Sequence, residues 1–199
     1  MFRTLCSVAL LAASAQSHAL TYTLANTNSD HGDGGYVVDY QWATDATYGD
    51  YWKGFTIIGA DRSAWMSRTT SWATFIQDTT TFGTTFAQAA TVSFDWSYTT
   101  SDSDLLADSA GYVLNGVTYT LNSVTSASAS GHVAVTVAAG DSLSWFVAST
   151  DELGGRGILA TTNVVLSAVP EPYSGAMLLA GLGIVGLFVQ RRRPSSHQG

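Results

Sequence analysis

Aspartates in two stretches of the chain are the first residues whose type and spacing could do chemistry. Asp102 and Asp104 stand in a Ser/Thr-rich turn, Asp108 follows four residues later, and Asp151 precedes Glu152 further along. Ca²⁺ binds roughly six to eight oxygen atoms and accepts carbonyls and hydroxyls as well as carboxylates. The glycine and glutamate positions of an EF-hand are absent. One interpretation is therefore a calcium site of another kind formed by these four aspartates, and the other is a solvated acidic loop that keeps a sheet edge soluble.

Tryptophan is the second residue type that could bind a ligand. Exposed aromatic rings offer flat apolar platforms for the faces of sugars, with an N–H or O–H at the rim. Trp96 and Trp145 alternate with polar residues in regular stretches, so we predict that they belong to the core. Four others lie in a less regular part of the sequence, where both core packing and sugar binding remain open: Trp42, Trp52, Trp65 and Trp72.

Residues suited to catalysis are few. Between residues 20 and 168 the only histidines are His31 and His132, and the only glutamate is Glu152. The Gly-x-Ser-x-Gly and His-Glu-x-x-His motifs of common hydrolases are absent from the chain. We therefore predict that the protein is not an enzyme. A polysaccharide-active enzyme that cleaves glycosides with paired carboxylates is the minor alternative.

The elements that must position these residues are predicted to be β-strands. Apolar and polar side chains alternate strictly in TVSFDWSY, residues 91–98, and similar alternation recurs over residues 132–137 and 142–149. Asn115-Gly116 is a pair favoured in a tight type I′ hairpin turn, and Gly140-Asp141 also predicts a turn. The stretch 157–168 supplies a last strand. Turn signals about every 8–12 residues, without an amphipathic helix, predict an all-β antiparallel sandwich or jelly roll.

The first half of the sequence is less regular. Three segments are nevertheless predicted to be strands: YTLANT at residues 22–27, GGYVVDYQW at 34–42 and WKGFTIIGA at 52–60. The Thr- and aromatic-rich stretch 65–86 is left unassigned. Residues 20–168 are long enough to form one domain with a full hydrophobic core.

Charge limits the partners of this domain. Residues 20–168 carry 14 acidic and 4 basic side chains, a net charge of −10, against −7 for the whole chain. Nucleic acids and anionic membrane surfaces are therefore predicted to be poor partners, since the domain would repel them. Cations are favoured. The domain has no cysteine, because Cys6 is the only one in the chain, so disulfides do not stabilise it.

The N-terminus has the pattern of a secretory signal peptide. Met1-Phe2-Arg3 is a short positive region, residues 5–15 are apolar, and Ser17-His18-Ala19 places small residues at the positions that signal peptidase requires. We predict cleavage after Ala19, with residues 1–19 removed during export.

The C-terminal stretch contains GLGIVG at residues 181–186, which fits the letters of a dinucleotide-binding turn. Such a turn needs a complete βαβ unit and an acidic residue about 20 positions on, but only 13 residues follow and none is Asp or Glu. Residues 173–189 carry no formal charge. This stretch is long enough for a transmembrane helix, which needs roughly 17–25 residues to span a bilayer core. Arg191, Arg192 and Arg193 follow at once, as expected on the cytoplasmic side. We therefore predict a transmembrane helix over 173–189.

A Pro-Glu-Pro motif precedes this helix, at Val169, Pro170, Glu171 and Pro172. Motif, apolar helix and arginine cluster together resemble the PEP-CTERM sorting signal of exported proteins in Gram-negative bacteria, here over residues 169–199. The resemblance implies that an exosortase, a transpeptidase-like membrane protease, recognises the tail and cleaves near the motif. The precursor would then be anchored in the inner membrane. Residues 90–166 also resemble a jelly-roll-like β-domain frequent among such proteins, for which no activity is implied.

These observations predict an exported protein of the cell surface or extracellular matrix. Signal peptidase and an exosortase are its expected partners during export. Its predicted role is structural or adhesive, with exopolysaccharide of a biofilm matrix as the expected contact. A carbohydrate-binding module with a defined site is the main alternative.

Overall fold

The computed structural model describes residues 19–27, 34–61, 77–151, 154–169, 181, 182 and 184. The chain divides into two compact units, residues 1–168 and 169–199. Ten β-strands fall in the first unit: β1 Tyr22–Asn26, β2 Tyr36–Asp45, β3 Gly49–Ile58, β4 Asp78–Thr85, β5 Ala90–Thr100, β6 Asp108–Leu114, β7 Val117–Thr120, β8 Ser128–Val137, β9 Ser142–Ser149 and β10 Gly157–Ala168.

The strands form two antiparallel five-stranded sheets. The order in the first sheet is β1-β4-β9-β6-β7, and in the second sheet it is β2-β3-β10-β5-β8. Only the β2–β3 and β6–β7 connections among the ten strands stay within one sheet, and each of the others takes the chain across to the opposite sheet. Buried side chains from both sheets belong to one hydrophobic core. The predicted all-β antiparallel sandwich is confirmed.

Alternation in the sequence corresponds to the inward and outward faces of the sheets. On β5, Val92, Phe94 and Tyr98 point inward and are buried, and Trp96 on the same face is half-buried. Because successive side chains of a strand point to opposite faces, the intervening Ser and Asp residues lie on the outer face. Burying a large apolar side chain contributes about 1.5–3 kcal/mol to stability, so this pattern fixes which face of β5 meets the core.

Trp145 on β9 lies at the centre of the core and is only 1% exposed. Its ring meets Phe55 of β3 at 5.0 Å and Phe94 of β5 at 5.4 Å between centroids, both edge to face. Aromatic pairs prefer this arrangement because the positive ring edge meets the negative face. The contacts join the two sheets, and the prediction that Trp145 belongs to the core is confirmed.

The predicted tight turn lies between β6 and β7. Asn115 and Gly116 both have positive φ angles, 50° and 80°, and Leu114 pairs with Val117 across the turn. Positive φ at both central residues is the mark of a type I′ turn, whose twist matches that of the flanking strands. At the second predicted turn Gly140 has a φ of +91°, and there the chain leaves β8 in one sheet and enters β9 in the other.

Two non-glycine residues with positive φ interrupt the second sheet. Asp39 on β2 has a φ of 56° and lies in a register shift between Val38 and Gln41. Asn163 on β10 has a φ of 51° and lies in a shift between Thr162 and Val165. Asp and Asn tolerate this conformation better than other side chains. Both irregularities change which side chains face inward further along the strand.

Several predictions fall on parts of the chain that the structure does not describe. Residues 1–18 of the signal peptide, Trp65, Trp72, Glu152 and most of the tail beyond Val169 are among them. In the tail, residues 181, 182 and 184 are helical. Within the described residues no helix is both long and apolar enough to cross a membrane, so the span over 173–189 stays a prediction. In the unassigned stretch 65–86, residues 78–85 form β4.

Candidate functional site

An exposed cluster of aromatic rings, which we call the aromatic edge, consists of Tyr40 and Trp42 on β2 and Trp52 on β3. Trp42 and Trp52 are directly paired across the two strands, with ring centroids 3.4 Å apart. Tyr40 also packs against Trp52, with ring centroids 4.5 Å apart. Trp42 is 60% exposed and Tyr40 is 44% exposed, so two of the three rings present large surfaces to solvent.

The aromatic edge continues into the core through Tyr22 and Phe82 of the first sheet. Tyr22 meets Trp52 at 6.5 Å and stacks on Phe82 at 5.1 Å, and Tyr40 also reaches Phe82 at 5.9 Å. Burial raises the pKa of the Tyr22 hydroxyl well above its ordinary value. Rings supported by buried neighbours keep a fixed orientation, so little conformational entropy is lost when a ligand binds to them.

The register shift at Asp39 explains how these rings reach one surface. Two side chains separated by one residue lie on the same face of a regular strand, whereas a bulge moves the following residues to the other face. Tyr40 and Trp42 follow the shift and turn toward Trp52 and Phe82. The sequence indicates Trp42 and Trp52 as candidate sugar contacts but not Tyr40, because a bulge at Asp39 leaves no clear sign in the sequence.

Such an arrangement can bind sugars. Flat aromatic faces pack against the C–H faces of sugar rings, and the Tyr O–H and Trp N–H groups at the rim can hydrogen-bond. Lys53, next to Trp52 on β3, is exposed at the surface. Trp65 and Trp72, the other two proposed sugar contacts, lie outside the described residues.

The predicted aspartates meet at one end of the sandwich, where the β5–β6 and β9–β10 connections pass between the sheets. Thr150 N donates to the carbonyl of Ala107 at 2.8 Å and joins the two connections. Asp102 and Asp108 are buried, with 6% and 1% exposure. Asp151 is half-buried and accepts a hydrogen bond from Ser149 at 3.5 Å. We call this region, centred on Asp102 and Asp108, the acidic end.

Asp104 behaves differently from its neighbours. Its side chain is exposed, and Oδ1 accepts a hydrogen bond from the backbone N of Leu106 at 3.0 Å. Its own backbone N donates to Oδ1 of Asp102 at 2.7 Å. The residue thus shapes the turn, and its carboxylate does not point into the acidic end.

Burial and mutual repulsion of the carboxylates at the acidic end favour neutralisation of their negative charge. Burial raises the pKa of Asp108, hydrogen bonds from Thr100 and Ser149 oppose the rise, and the charges of Asp102 and Asp151 add to it. Burial, together with the charge of Asp108, raises the pKa of Tyr98 to about 12. Yet across the described part of the chain, no group of three His, Cys, Asp or Glu side chains is close enough to hold a metal ion.

The outer face of the second sheet carries a polar cluster that sequence analysis did not find. Asp95 and His132 lie opposite each other on β5 and β8, and His132 Nδ1 is 2.7 Å from Oδ1 of Asp95. Asn163 Nδ2 donates to the other oxygen at 2.9 Å. The hydrogen bonds from Asn163 and His132 lower the pKa of Asp95. These residues are distant in sequence, and only the strand register brings them together.

The outer face of the first sheet forms an open groove of about 470 Å³. Strands β1, β4 and β9 line it with small and hydroxyl-bearing side chains, among them Thr23, Thr81, Thr85 and Ser144. None of the described residues that line it carries a charge. The groove can therefore accept a neutral polar ligand through hydrogen bonds. The runs of threonine in β4, residues 79–81 and 84–85, are its main sign in the sequence.

Comparison with known families gives one match, at the C-terminal end. The family model for the PEP-CTERM protein-sorting motif matches residues 168–193. A search of curated proteins finds no match for the chain. The protein therefore carries a PEP-CTERM sorting motif, and the resemblance inferred from Pro170-Glu171-Pro172 and the arginine cluster is confirmed.

Proposed function

We propose that this protein, once exported, is a non-catalytic structural or adhesive component of the cell surface or extracellular matrix, and that it contacts polysaccharide through the aromatic edge. The sorting motif at residues 168–193 marks the chain as an exported protein that an exosortase processes. Export places the β-sandwich outside the cytoplasm, where secreted polysaccharide is present. In that location the β-sandwich would act as a structural or adhesive component.

The observation that carries the proposal is the exposure of Trp42 and Tyr40 against a rigid support. Large exposed aromatic side chains are costly to leave in water, and a contiguous group of them marks an interaction site. The third ring, Trp52, is held between Tyr40 and Tyr22. This combination of exposed faces and fixed orientation suits repeated, weak contacts along a sugar polymer.

The charge of the domain selects among polysaccharides. Residues 20–168 have a net charge of −10, which repels polymers rich in uronic acids or sulfate. We therefore expect neutral polysaccharides to bind better than anionic ones. Raising the salt concentration should narrow this difference, since it screens the repulsion.

The test is retention of the exported protein on insoluble neutral polysaccharide. Trp42→Ala and Tyr40→Ala should each reduce retention severalfold, because each removes an exposed sugar-facing ring. Tyr119→Ala is the matched control, since Tyr119 is 42% exposed and stacks on Tyr112 at the far edge of the first sheet. Equal losses in all three variants, or none in Trp42→Ala, would contradict the proposal.

The groove on the first sheet supports a second candidate, a carbohydrate-binding module with a defined site. Hydroxyl-lined walls without charge fit a short neutral oligosaccharide. Thr81→Val would remove one wall hydroxyl, which also donates to the carbonyl of Ala25 at 3.3 Å, and should weaken such binding. Saturable binding of a short oligosaccharide, unchanged by Trp42→Ala but weakened by Thr81→Val, would favour the groove over the aromatic edge.

A further inference from the structure

We propose that the acidic end binds a hard divalent cation of the Ca²⁺ class between the carboxylates of Asp102 and Asp108. The site lies where the β5–β6 and β9–β10 connections meet, at one end of the sandwich. Asp102 lies in the β5–β6 connection and Asp108 is the first residue of β6, and Gly154 of the β9–β10 connection packs against Asp102. This role is separate from the aromatic edge, which lies on β2 and β3.

Each of the two carboxylates has one oxygen in use and one left over. Oδ1 of Asp102 accepts from the backbone N of Asp104 at 2.7 Å, and Oδ2 of Asp108 accepts from the Thr100 hydroxyl at 2.6 Å. The remaining oxygens, Oδ2 of Asp102 and Oδ1 of Asp108, are buried and accept no hydrogen bond from any residue in the described ranges. Buried polar atoms in proteins are almost always paired. Two such atoms in neighbouring carboxylates therefore indicate a missing positive partner.

Thr100 fixes the two aspartates relative to each other. Its hydroxyl donates to Asp108, as described, and accepts a hydrogen bond from the backbone N of Asp102 at 3.0 Å. The Tyr98 hydroxyl is buried in the same region, where burial and the nearby charges of Asp108 and Asp102 raise its pKa. The acidic end thus offers one neutral oxygen beside the two carboxylates.

The loop from β9 to β10 closes over Asp102 with glycine. Gly154 has a φ of +81°, and any side chain there would overlap with the carboxylate of Asp102. Gly155 has a φ of +143° and packs against Ser101 in the same way. Gly154 thus lets the backbone of the β9–β10 connection lie close to the Asp102 carboxylate, and backbone carbonyls are among the ligands that Ca²⁺ accepts.

A proton and a cation are the two ways to neutralise this pair. One proton removes one of the two negative charges and satisfies one oxygen. A divalent cation balances both charges and can contact both unpaired oxygens at once. Donors that are all oxygen favour a hard ion over zinc or copper, and a site without an octahedral set of side chains suits Ca²⁺ better than Mg²⁺, which demands strict octahedral geometry.

The affinity should be modest. Because no third acidic side chain converges on the pair within the described residues, carbonyls, hydroxyls and water must supply the other ligands. Calcium sites of extracellular modules have dissociation constants of about 10⁻⁴–10⁻³ M, and we expect a value in that range. An exported protein meets calcium at such concentrations outside the cell.

The experiment measures the melting temperature of the exported protein while CaCl₂ is added, with NaCl at equal ionic strength as the comparison. Calcium should raise the melting temperature by several degrees beyond sodium, since a ligand of the native state shifts unfolding. Asp108→Asn and Asp102→Asn should abolish the extra shift. Asp104→Asn is the matched control and should keep it, because the Asp104 carboxylate points away.

A second readout detects binding directly. Tb³⁺ replaces Ca²⁺ in oxygen sites, and its emission should be sensitised by the nearby Tyr98 ring, reversed by CaCl₂, and lost in Asp108→Asn. Equal shifts with sodium and calcium, or unchanged terbium emission in that variant, would overturn the proposal. A wild-type protein that ignores calcium while Asp108→Asn is more stable would show that the pair shares a proton only.

Discussion

Trp42 and Trp52 pair across β2 and β3 with ring centroids 3.4 Å apart, although one ring is mostly in solvent and the other half-buried. The pair links a surface residue to the core through Tyr22 and Phe82. Truncation of Trp42 should therefore change the stability of the protein much less than truncation of Trp145, which lies at the centre of the core.

Trp145→Ala should lower the free energy of unfolding by about 3–5 kcal/mol, because it leaves a cavity between the two sheets. Trp42→Ala should cost about 1 kcal/mol, since it loses mainly one aromatic pair at an exposed position. Urea denaturation followed by circular dichroism measures both. Similar losses in the two variants would mean that Trp42 is part of the core.

Gly83→Ala should destabilise the first sheet by about 2 kcal/mol through overpacking. An added Cβ at Gly83 on β4 would lie 2.6 Å from the Cα of Ser144 on the neighbouring strand. Gly116→Ala, where the Cβ would meet open space but φ is +80°, should cost about 1 kcal/mol from backbone strain alone.

Substitution by Asn distinguishes overpacking from backbone strain, because Asn tolerates a positive φ better than Ala does. Gly116→Asn should therefore recover part of the stability lost in Gly116→Ala, as measured by thermal melts. At Gly83 the larger side chain should be worse than Ala. Recovery by Asn at both positions would contradict the steric explanation.

Asp108→Asn should stabilise the protein at neutral pH in calcium-free buffer, by about 1 kcal/mol. Burial raises the pKa of Asp108, so the folded state holds this proton more tightly than the unfolded chain. The stability gained from protonation is complete below the unfolded pKa of about 3.9, and it is lost as pH rises through the higher folded pKa. Asp108→Asn has no ionisable group at this position, so its stability is not lowered in this way as the pH rises.

The difference between Asp108→Asn and wild type should accordingly shrink as the pH is lowered toward about 4. Urea titrations at a series of pH values test this. The groups that act on Asp108 are Asp102, Asp151 and the hydroxyls of Thr100 and Ser149, and all are retained in the variant. A difference that grows with acidification would show that the carboxylate is charged and stabilising.

Asn163→Ala should raise the pKa of Asp95. The hydrogen bond from Asn163 is the largest cause of its lowered pKa, and the one from His132 comes second. Carbon-detected NMR titration of the Asp95 carboxyl group should show a higher pKa in Asn163→Ala, and also in His132→Ala, which removes both a hydrogen bond and a nearby charge. An unchanged pKa in Asn163→Ala would contradict this assignment.

The exported form should lack the residues beyond the Pro-Glu-Pro region. The sorting motif covers residues 168–193, and we expect its processing to remove the tail that contains the arginines. Intact-mass measurement of surface-exposed protein from the host tests this. Arg193 retained in that pool would contradict it.

Two variants, one inside the motif and one outside it, test whether removal of the tail depends on the motif. Glu171→Ala should leave the tail attached and the protein in the membrane fraction, because Glu171 lies in the motif. Pro194→Ala, one residue beyond the match, should be processed normally. Normal processing of both variants would separate the motif from cleavage.

The sequence predicted the sandwich well because the period of each strand and the Asn115-Gly116 turn are local features. It identified Trp42 and Trp52 as candidate ligand contacts, but Tyr40 depends on the bulge at Asp39, which is decided by the packing of β2 on β3. Likewise, spacing alone grouped Asp104 with Asp102. The turn geometry, in which Asp104 hydrogen-bonds Leu106, directs its carboxylate elsewhere.

The position of β10 has a mechanical consequence. Its last residue, Ala168, is paired with Ala90 of β5, and the sorting motif begins at that same residue. A pull on the tail therefore acts along a strand held by hydrogen bonds to both β3 and β5. When the force runs along the strand axis, these bonds are loaded in shear and share the force. Before its tail is cleaved, the domain should therefore resist extraction through β10 more strongly than through β1, an edge strand paired with β4 alone among the described strands.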